Sequence, residues 1–294
     1  RPDSKLCTPE FLKTYLDYLT AQKYFQNLQK GGTVNFVTKK MISEVIINLP
    51  PLAEQQRIVA KLDAAFAEID TAIEAAEKCV TDAIAIYDTH LDRKFSDLSS
   101  SHPKHLMHDA CDLIDSLHKT PKYTDDGYPM IRVADVKPGR INFDNAKRVD
   151  ENTFKEFSKR HTAEIGDIIL SRVGSYGVSA IVSGNVEFCL GQNTVFIIPK
   201  GNSKYLYYFL NSPFAQRQMD SLISGVAQPT ISLKSIKSLT IPLPNEKTQI
   251  EISVNFEKLW LETQNVSKIF KEKCFQLVKL KSAILAQELQ SETA

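Results

Sequence analysis

Residues 49–63 read LPPLAEQQRIVAKLD. Two prolines stop whatever precedes them, and an acid and two amides then open a helical stretch. From there apolar residues fall at Leu62, Phe66, Ile69, Ile73, Ala76, Val80, Ala83, Tyr87 and Leu91. As far as Tyr87 the steps alternate four and three, which is a heptad seam. Neither proline nor glycine interrupts it. A helix of about 40 residues is a rod of about 60 Å at ~1.5 Å per residue.

Working outward, the same pattern returns 194 positions later. GGTVNFVTKKMI at 31–42 falls on GVAQPTISLKSI at 225–236, and INLPP at 47–51 falls on IPLPN at 241–245. Gln55 meets Gln249, Ile58 meets Ile252, Leu62 meets Phe256 and Phe66 meets Trp260. The chain is therefore one module used twice. Each copy predicts a helix at about 8–29 and 203–224 that ends at a glycine, Gly31 or Gly225. A short turn with a second short helix or loop follows, around residues 38–44 and 232–238. A brief strand comes next, 45–49 and 239–243, stopped by proline. Then the long helix begins. The second one carries Ile252, Phe256, Leu259, Thr263, Val266, Phe270, Leu277 and Ile284 on its stripe, with a stutter near Cys274. A narrow apolar seam on so long a helix needs a partner helix, and the other copy, packed antiparallel, is the simplest one.

Between the long helices the chain reads mostly as strand and turn. Residues 129–136, 139–143, 166–174, 178–182 and 194–199 alternate or run apolar between glycines. The expected fold class is α+β: sheet-rich domains joined by two long antiparallel coiled-coil helices. The expected division is 1–53, the end of a first domain; 54–97, a long helix; 100–245, a complete second domain; and 246–291, the second long helix. The sheet-rich front of the first domain is absent. A chain that starts at Arg1, without methionine, suggests a fragment or a processed product.

The 294 residues and 43% hydrophobic content suffice for one large core or two ordinary ones. A net charge of +1 argues against a uniformly basic coat and leaves room for a local basic face. Five cysteines at long spacings, with no CxxC pair, fit a reducing cytoplasm better than a disulfide framework or a zinc site. No run of 18 apolar residues and no signal peptide is read, so the chain reads as soluble and cytoplasmic. His102, His105 and His108, with Cys111 nearby, are spaced for a metal but sit in a serine-rich linker, so none is expected.

Residues 49–63 resemble the central conserved region of the specificity subunit of type I restriction-modification systems. Residues 241–249, IPLPNEKTQ, are similar to the same element in degenerate form, with Thr248 for the expected Glu and Ile250 for the second Gln. GDIILSRVG at 166–174 and GVAQPTI at 225–231 resemble segments of that family's target recognition domains. The resemblance covers the whole chain. It implies a subunit with two recognition domains, each reading half of a split sequence in double-stranded DNA. It implies an antiparallel coiled coil as spacer, and binding to two modification (methyltransferase) subunits and, in the full complex, to restriction subunits. Methylation and cleavage then belong to the partners. No cofactor is expected on this chain, with S-adenosylmethionine, ATP and magnesium on the partner subunits. The departure is the missing front of the first recognition domain.

Base reading needs Arg, Lys, Asn or Gln, and phosphate anchoring needs basic and hydroxyl groups. Lys119, Thr120, Lys122 and Tyr123, with His118, lie in one basic loop whose plain reading is a solvated turn. Arg172, Ser175 and Tyr176 lie in a tight loop between glycines, where backbone N–H groups can approach phosphates; a plain hairpin is the alternative. Gln192 and Asn193 place two amides at a turn, and Gln228 with Thr230 lies after Gly225. Arg132 and Arg140 near strand edges read equally as surface ion pairs. Glu54, Gln55, Gln56 and Arg57 at the foot of the first long helix are candidate contacts for the modification subunits, or an acidic first turn that caps the helix.

No nucleotide-binding loop, adenine methyltransferase motif or nuclease acid cluster is read. A non-catalytic DNA-recognition subunit is therefore the main reading. A self-contained enzyme with an unrecognised site, such as a nuclease fused to a recognition domain, a coiled-coil scaffold that reads no DNA, and a half-sized subunit that self-associates or pairs with a missing amino-terminal piece are the alternatives.

Overall fold

The doubling of the sequence reappears as a doubling of helix caps in the computed structural model, which describes residues 2–27, 38–225 and 228–290. The Thr8 hydroxyl accepts the amide of Phe11 and starts the helix Pro9–Ala21. In the second copy the Asn202 side chain accepts the amide of Tyr205 and starts Ser203–Leu210. Thr38 does the same for Lys39–Ser43, and Ser232 for Leu233–Lys237. The long helices are Leu52–Ser101 and Glu246–Gln290. Every one of these starts is offset by 194 positions. A side-chain oxygen at the N-cap satisfies an amide that the helix itself leaves orphaned.

The first helix of each copy is shorter than predicted. In copy one it ends at Ala21, because Lys23 turns left-handed at φ 57°, and Tyr24–Asn27 is a separate turn of helix. The expected end at Gly31 lies outside the described residues. In copy two a second helix, Pro213–Asp220, follows Ser203–Leu210. Pro213 lacks the amide needed to continue a helix, and the Ser212 hydroxyl accepts the Ala215 amide to restart one. Gly225 is thus not a helix end; it sits at φ +90° in a turn. The strand expected at 239–243 is observed as Thr240–Pro242, antiparallel to Lys104–Leu106. Its counterpart at 45–49 is in no strand, and nothing among the described residues pairs with it.

Two compact units are distinguished, residues 1–83 with 264–294, and residues 84–263. In the first, Phe11, Ile58, Leu62, Leu285 and Leu289 form the core. Lys61 pairs with Glu288 at 2.6 Å and Asp70 with Lys281 at 2.6 Å, and the Cys274 thiol faces the Ile73 carbonyl at 3.9 Å. Position numbers rise along one helix as they fall along the other, so the two run antiparallel. The seam of the second helix differs from expectation at one step: Ser267 is buried and Val266 is 37% exposed. The four-three rhythm passes from Thr263 through Ser267, Phe270 and Cys274 to Leu277, so Cys274 belongs to the seam.

In the second unit the same two helices are again antiparallel, with Tyr87 against Trp260 at 4.9 Å and Phe95 against Phe256 at 6.4 Å between ring centroids. They pack on a four-stranded antiparallel sheet ordered Cys111–Asp115, Thr194–Pro199, Ile168–Ser171, Ser179–Ile181. Ile168, Leu170, Val195 and Ile197 point into the helical side, and Ile169 and Phe196 into a second core on the other face. Burial on both faces explains why these strands read as unbroken apolar runs. The second four-stranded sheet is ordered Cys189–Leu190, Tyr128–Ile131, Lys147–Val149, Tyr123–Thr124. The helix Glu151–Phe157, capped by Asp150, follows Lys147–Val149 in a region read from sequence as strand and turn. Among the described residues no helix is long and apolar enough to cross a membrane.

Phe95 is fully buried and its ring meets those of Tyr205, Phe209 and Phe256. Phe95→Ala is expected to cost about 3–5 kcal/mol, read as a lowered denaturant midpoint with an unchanged slope.

Candidate nucleic-acid interface

Three stretches far apart in sequence are stitched together at Arg172 by backbone hydrogen bonds. The Arg172 amide donates to the Asn193 carbonyl at 2.9 Å, and the Ile231 amide donates to the Arg172 carbonyl at 2.9 Å. The Gly174 amide donates to the Pro229 carbonyl at 3.0 Å. The loop from 171 to 178 is held from within by the buried Ser171 hydroxyl, which donates to the carbonyls of Ser175 and Val178. Ser224 and Thr230 close the third stretch by exchanging amide-to-carbonyl bonds at 3.0 and 2.9 Å. That turn needs glycine: a Cβ on Gly225, at φ +90°, would lie 2.7 Å from the Gln228 carbonyl oxygen. Asn193 itself is left-handed at φ 67°, a conformation Asn tolerates better than most residues.

The result is a groove of about 570 Å³. Gly174, Ser175, Asn193 and Gln228 line one part of it, and Val133, Lys137 and Pro138 another. Two amide side chains, a hydroxyl and a lysine thus converge from four loops. Amides can pair with base edges, and hydroxyls, lysines and glycine amides suit phosphates. Lys137 was not among the residues singled out from the sequence. Its signal was faint: it precedes Pro138-Gly139 at the tip of a two-stranded hairpin, Val136–Lys137 with Arg140–Ile141.

Other sequence candidates lie elsewhere. Gln192 is exposed beside the groove but does not line it, and the Thr230 hydroxyl donates to the Gln228 carbonyl at 3.1 Å. Tyr176 turns away and donates its hydroxyl to Asp220 at 2.8 Å, a bond that raises its pKa. Lys119 pairs with Glu156 at 2.5 Å. Thr120, Lys122 and Tyr123 are exposed, with Tyr123 on the edge strand of the second sheet. Arg132 is folded back on Asp135 at 3.0 Å. Arg172 is the main correction. It is 8% exposed, and its guanidinium pairs with Asp115 at 3.0 Å. Asp115 in turn meets His118 at 2.9 Å. The charge of Arg172 is neutralised inside the fold, so it holds loops in place and is not free to reach a base.

At the foot of the first long helix Gln55 is fully buried. Its amide nitrogen donates to the carbonyls of Leu6 and Pro50, each at 2.8 Å, and its oxygen accepts the Thr8 amide at 2.9 Å. Gln249 repeats the bond, to Pro244 at 2.8 Å. Gln55 therefore works inside its own chain, whereas Gln56 and Arg57 are exposed and Glu54 half-buried, with Arg57 ion-paired to Glu54. Cys111 lies in the core and burial pushes its thiol up to about 12, which keeps it protonated. Among the described residues no three His, Cys, Asp or Glu side chains gather as a metal site.

The profile described as type I restriction modification DNA specificity domain matches residues 1–78 and 115–269. The type I restriction enzyme EcoBI specificity subunit of Escherichia coli is 23% identical over 289 residues, covering 88% of this chain and 61% of that protein. The EcoKI specificity subunit of Escherichia coli strain K12 is 25% identical over 313 residues, covering 99% of this chain and 67% of that protein. The chain thus spans about three fifths to two thirds of the length of these curated relatives. The fold is similar to a chain from a structural study of complex assembly and conformational transition of the type I R-M system, with a TM-score of 0.77, 19% identity and coverage of 99% of this chain and 73% of that one. It is also similar to the HsdS subunit of Thermoanaerobacter tengcongensis, with a TM-score of 0.52, 21% identity and coverage of 99% and 72%.

Removing the Arg172 charge leaves Asp115 without its buried partner. Arg172→Ala is expected to destabilise by about 3 kcal/mol, while Lys122→Ala stays within about 0.5 kcal/mol. Chemical denaturation of the two variants checks both.

Proposed function

The chain belongs to the type I restriction modification DNA specificity family, and we propose that residues 100–245 read one half of a bipartite DNA target through the groove of Ser175, Asn193, Gln228 and Lys137. The observation that carries this reading is the convergence of those side chains, from four separate loops, in one concavity. Gln192 and Thr230 flank it, and Lys119, Thr120, Lys122 and Tyr123 supply a second, phosphate-facing contact. Arg172 acts through the loops it holds.

In the same reading the paired helices set the spacer between half-sites. The first has 50 residues and the second 45, which is about 75 Å and 68 Å of helix at ~1.5 Å per residue. Glu54, Gln56 and Arg57 face the modification subunits, and Gln55 shapes that surface from beneath. The chain is non-catalytic and cytoplasmic. S-adenosylmethionine, ATP and magnesium belong to the modification and restriction subunits.

One observation favours completion of the first domain by association, with a second copy or an amino-terminal piece. Among the described residues nothing pairs with the segment 45–49, and Ile46 is 91% exposed where its counterpart Thr240 is paired to Leu106. An apolar, unpaired edge is a template for another strand.

Duplex binding by the complex with modification subunits is expected to weaken steeply with salt, at a log–log slope of about −0.9 per phosphate contact. Gln228→Ala is expected to relax selection at particular positions of one half-site, by roughly 1–3 kcal/mol per position. Lys122→Ala is expected to weaken all sequences alike and to flatten the salt slope by about one. Selection from a random duplex pool, followed by titration at several salt concentrations, checks all three. Identical behaviour of the two variants contradicts the assignment.

A further inference from the structure

The 84–263 unit holds a second concavity beside the proposed DNA groove. It measures about 390 Å³ and is lined by Ile84, Tyr87, Asp88, Tyr176, Tyr207 and Trp260, among others. Aromatic rings form much of its wall. Tyr87 and Trp260 lie 4.9 Å apart at 51°. Burial pushes the Tyr207 phenol up to about 12, and the Tyr176 hydroxyl is engaged by Asp220, so these groups present uncharged ring surfaces.

Asp88 is the acid in this lining, and no lysine, arginine or histidine lines the cavity with it among the described residues. The next turn of the same helix offers a contrast. Asp92 has its cation, Arg217, at 2.7 Å. The Asp88 carboxylate has no hydrogen bond or ion pair among the described residues, and burial alone raises its pKa. A half-buried carboxylate without a counter-charge is costly, and π faces attract organic cations. Ile84, 41% exposed, adds an aliphatic surface that suits the methylene stem of a long side chain. A bare metal ion would find one carboxylate in a space far larger than itself.

We propose that this cavity receives a cationic side chain, an arginine guanidinium or lysine ammonium, from a partner protein, with the charge on Asp88 and the stem against Ile84 and the aromatic rings. The cavity adjoins the DNA groove, with Pro138 and Val178 on both linings, but Asp88 and the aromatic rings line this cavity and not the groove, and its test does not depend on DNA binding.

Trp260 is the chain's single tryptophan, so its fluorescence reports on this cavity. The full chain is titrated with N-acetyl-arginine amide, with its neutral isostere N-acetyl-citrulline amide, and with guanidinium chloride at the same low concentrations; free N-acetyl-tryptophan amide corrects for collisional quenching. The expected result is a saturable change with the arginine probe, and binding of citrulline and of bare guanidinium about tenfold weaker or more. Asp88→Asn, which removes no hydrogen bond, is expected to keep the native circular dichroism and to weaken the arginine probe about tenfold. Equal affinity for arginine and citrulline, equal affinity for bare guanidinium, an undiminished response in Asp88→Asn, or no saturable change overturns the proposal. The citrulline arm decides on the unaltered protein even if the variant misfolds.

Discussion

Gln55 donates its side-chain amide to the Pro50 carbonyl at 2.8 Å, and Gln249 repeats that bond to Pro244 at 2.8 Å. The proline carbonyl lies where an extended segment stops and a long helix must begin. Closing an amide on it fixes the residue at which each helix starts, Leu52 in one copy and Glu246 in the other. Once the start is fixed, so is the phase of the seam. Ile58 and Leu62, and Ile252 and Phe256, then face inward and are buried. A slip of one residue would rotate every seam position by about 100°, a consequence of ~3.6 residues per turn. In the first copy the same glutamine also binds Leu6 and Thr8, which ties the helix Pro9–Ala21 to the foot of the long one.

The second constraint is a charge placed inside the fold. The sheet of the 84–263 unit is apolar on both faces, so its loops can be organised only at strand ends. Arg172, at the end of Ile168–Ser171, puts its guanidinium against Asp115 at the end of Cys111–Asp115, the strand on the far side of Thr194–Pro199. Its backbone meanwhile holds Asn193 on one side and Ile231 on the other. The side chains that line the groove, Ser175, Asn193 and Gln228, are thereby placed by rigid neighbours, and among the described residues their tips bond to nothing. That division between an anchored arginine and free amides is what a reading surface needs, since a specific contact must not spend its hydrogen-bonding capacity on its own fold.

Much of this was legible in the sequence, and the parts that were not have physical reasons. The doubling, both long helices and their antiparallel pairing follow from periodicity, which depends only on local spacing. Thr8, Thr38 and Ser232 could be recognised as caps because a cap and the amide it binds are three residues apart. The break at Ser212-Pro213 carried a local signal that the apolar run on either side concealed. Ser267 displaced Val266 in the seam because register, set far away at Gln249, outranks hydrophobicity at one position. Arg172 looked like a DNA contact because nothing near it in sequence announces Asp115, 57 residues earlier. Lys137 was passed over for the same reason, since its neighbours in the groove come from three other loops.

The central claim is that the groove between Ser175, Asn193 and Gln228 faces the bases of one half-site. A photo-crosslinking amino acid in place of Ser175 tests it most directly, with the same group at exposed Ile46 as control. The chain is assembled with modification subunits on a labelled target duplex and irradiated. The account predicts crosslinks from position 175 confined to a few base pairs of one half-site and lost on a scrambled sequence. Crosslinks spread along the duplex, or no more frequent than those from position 46, would contradict it.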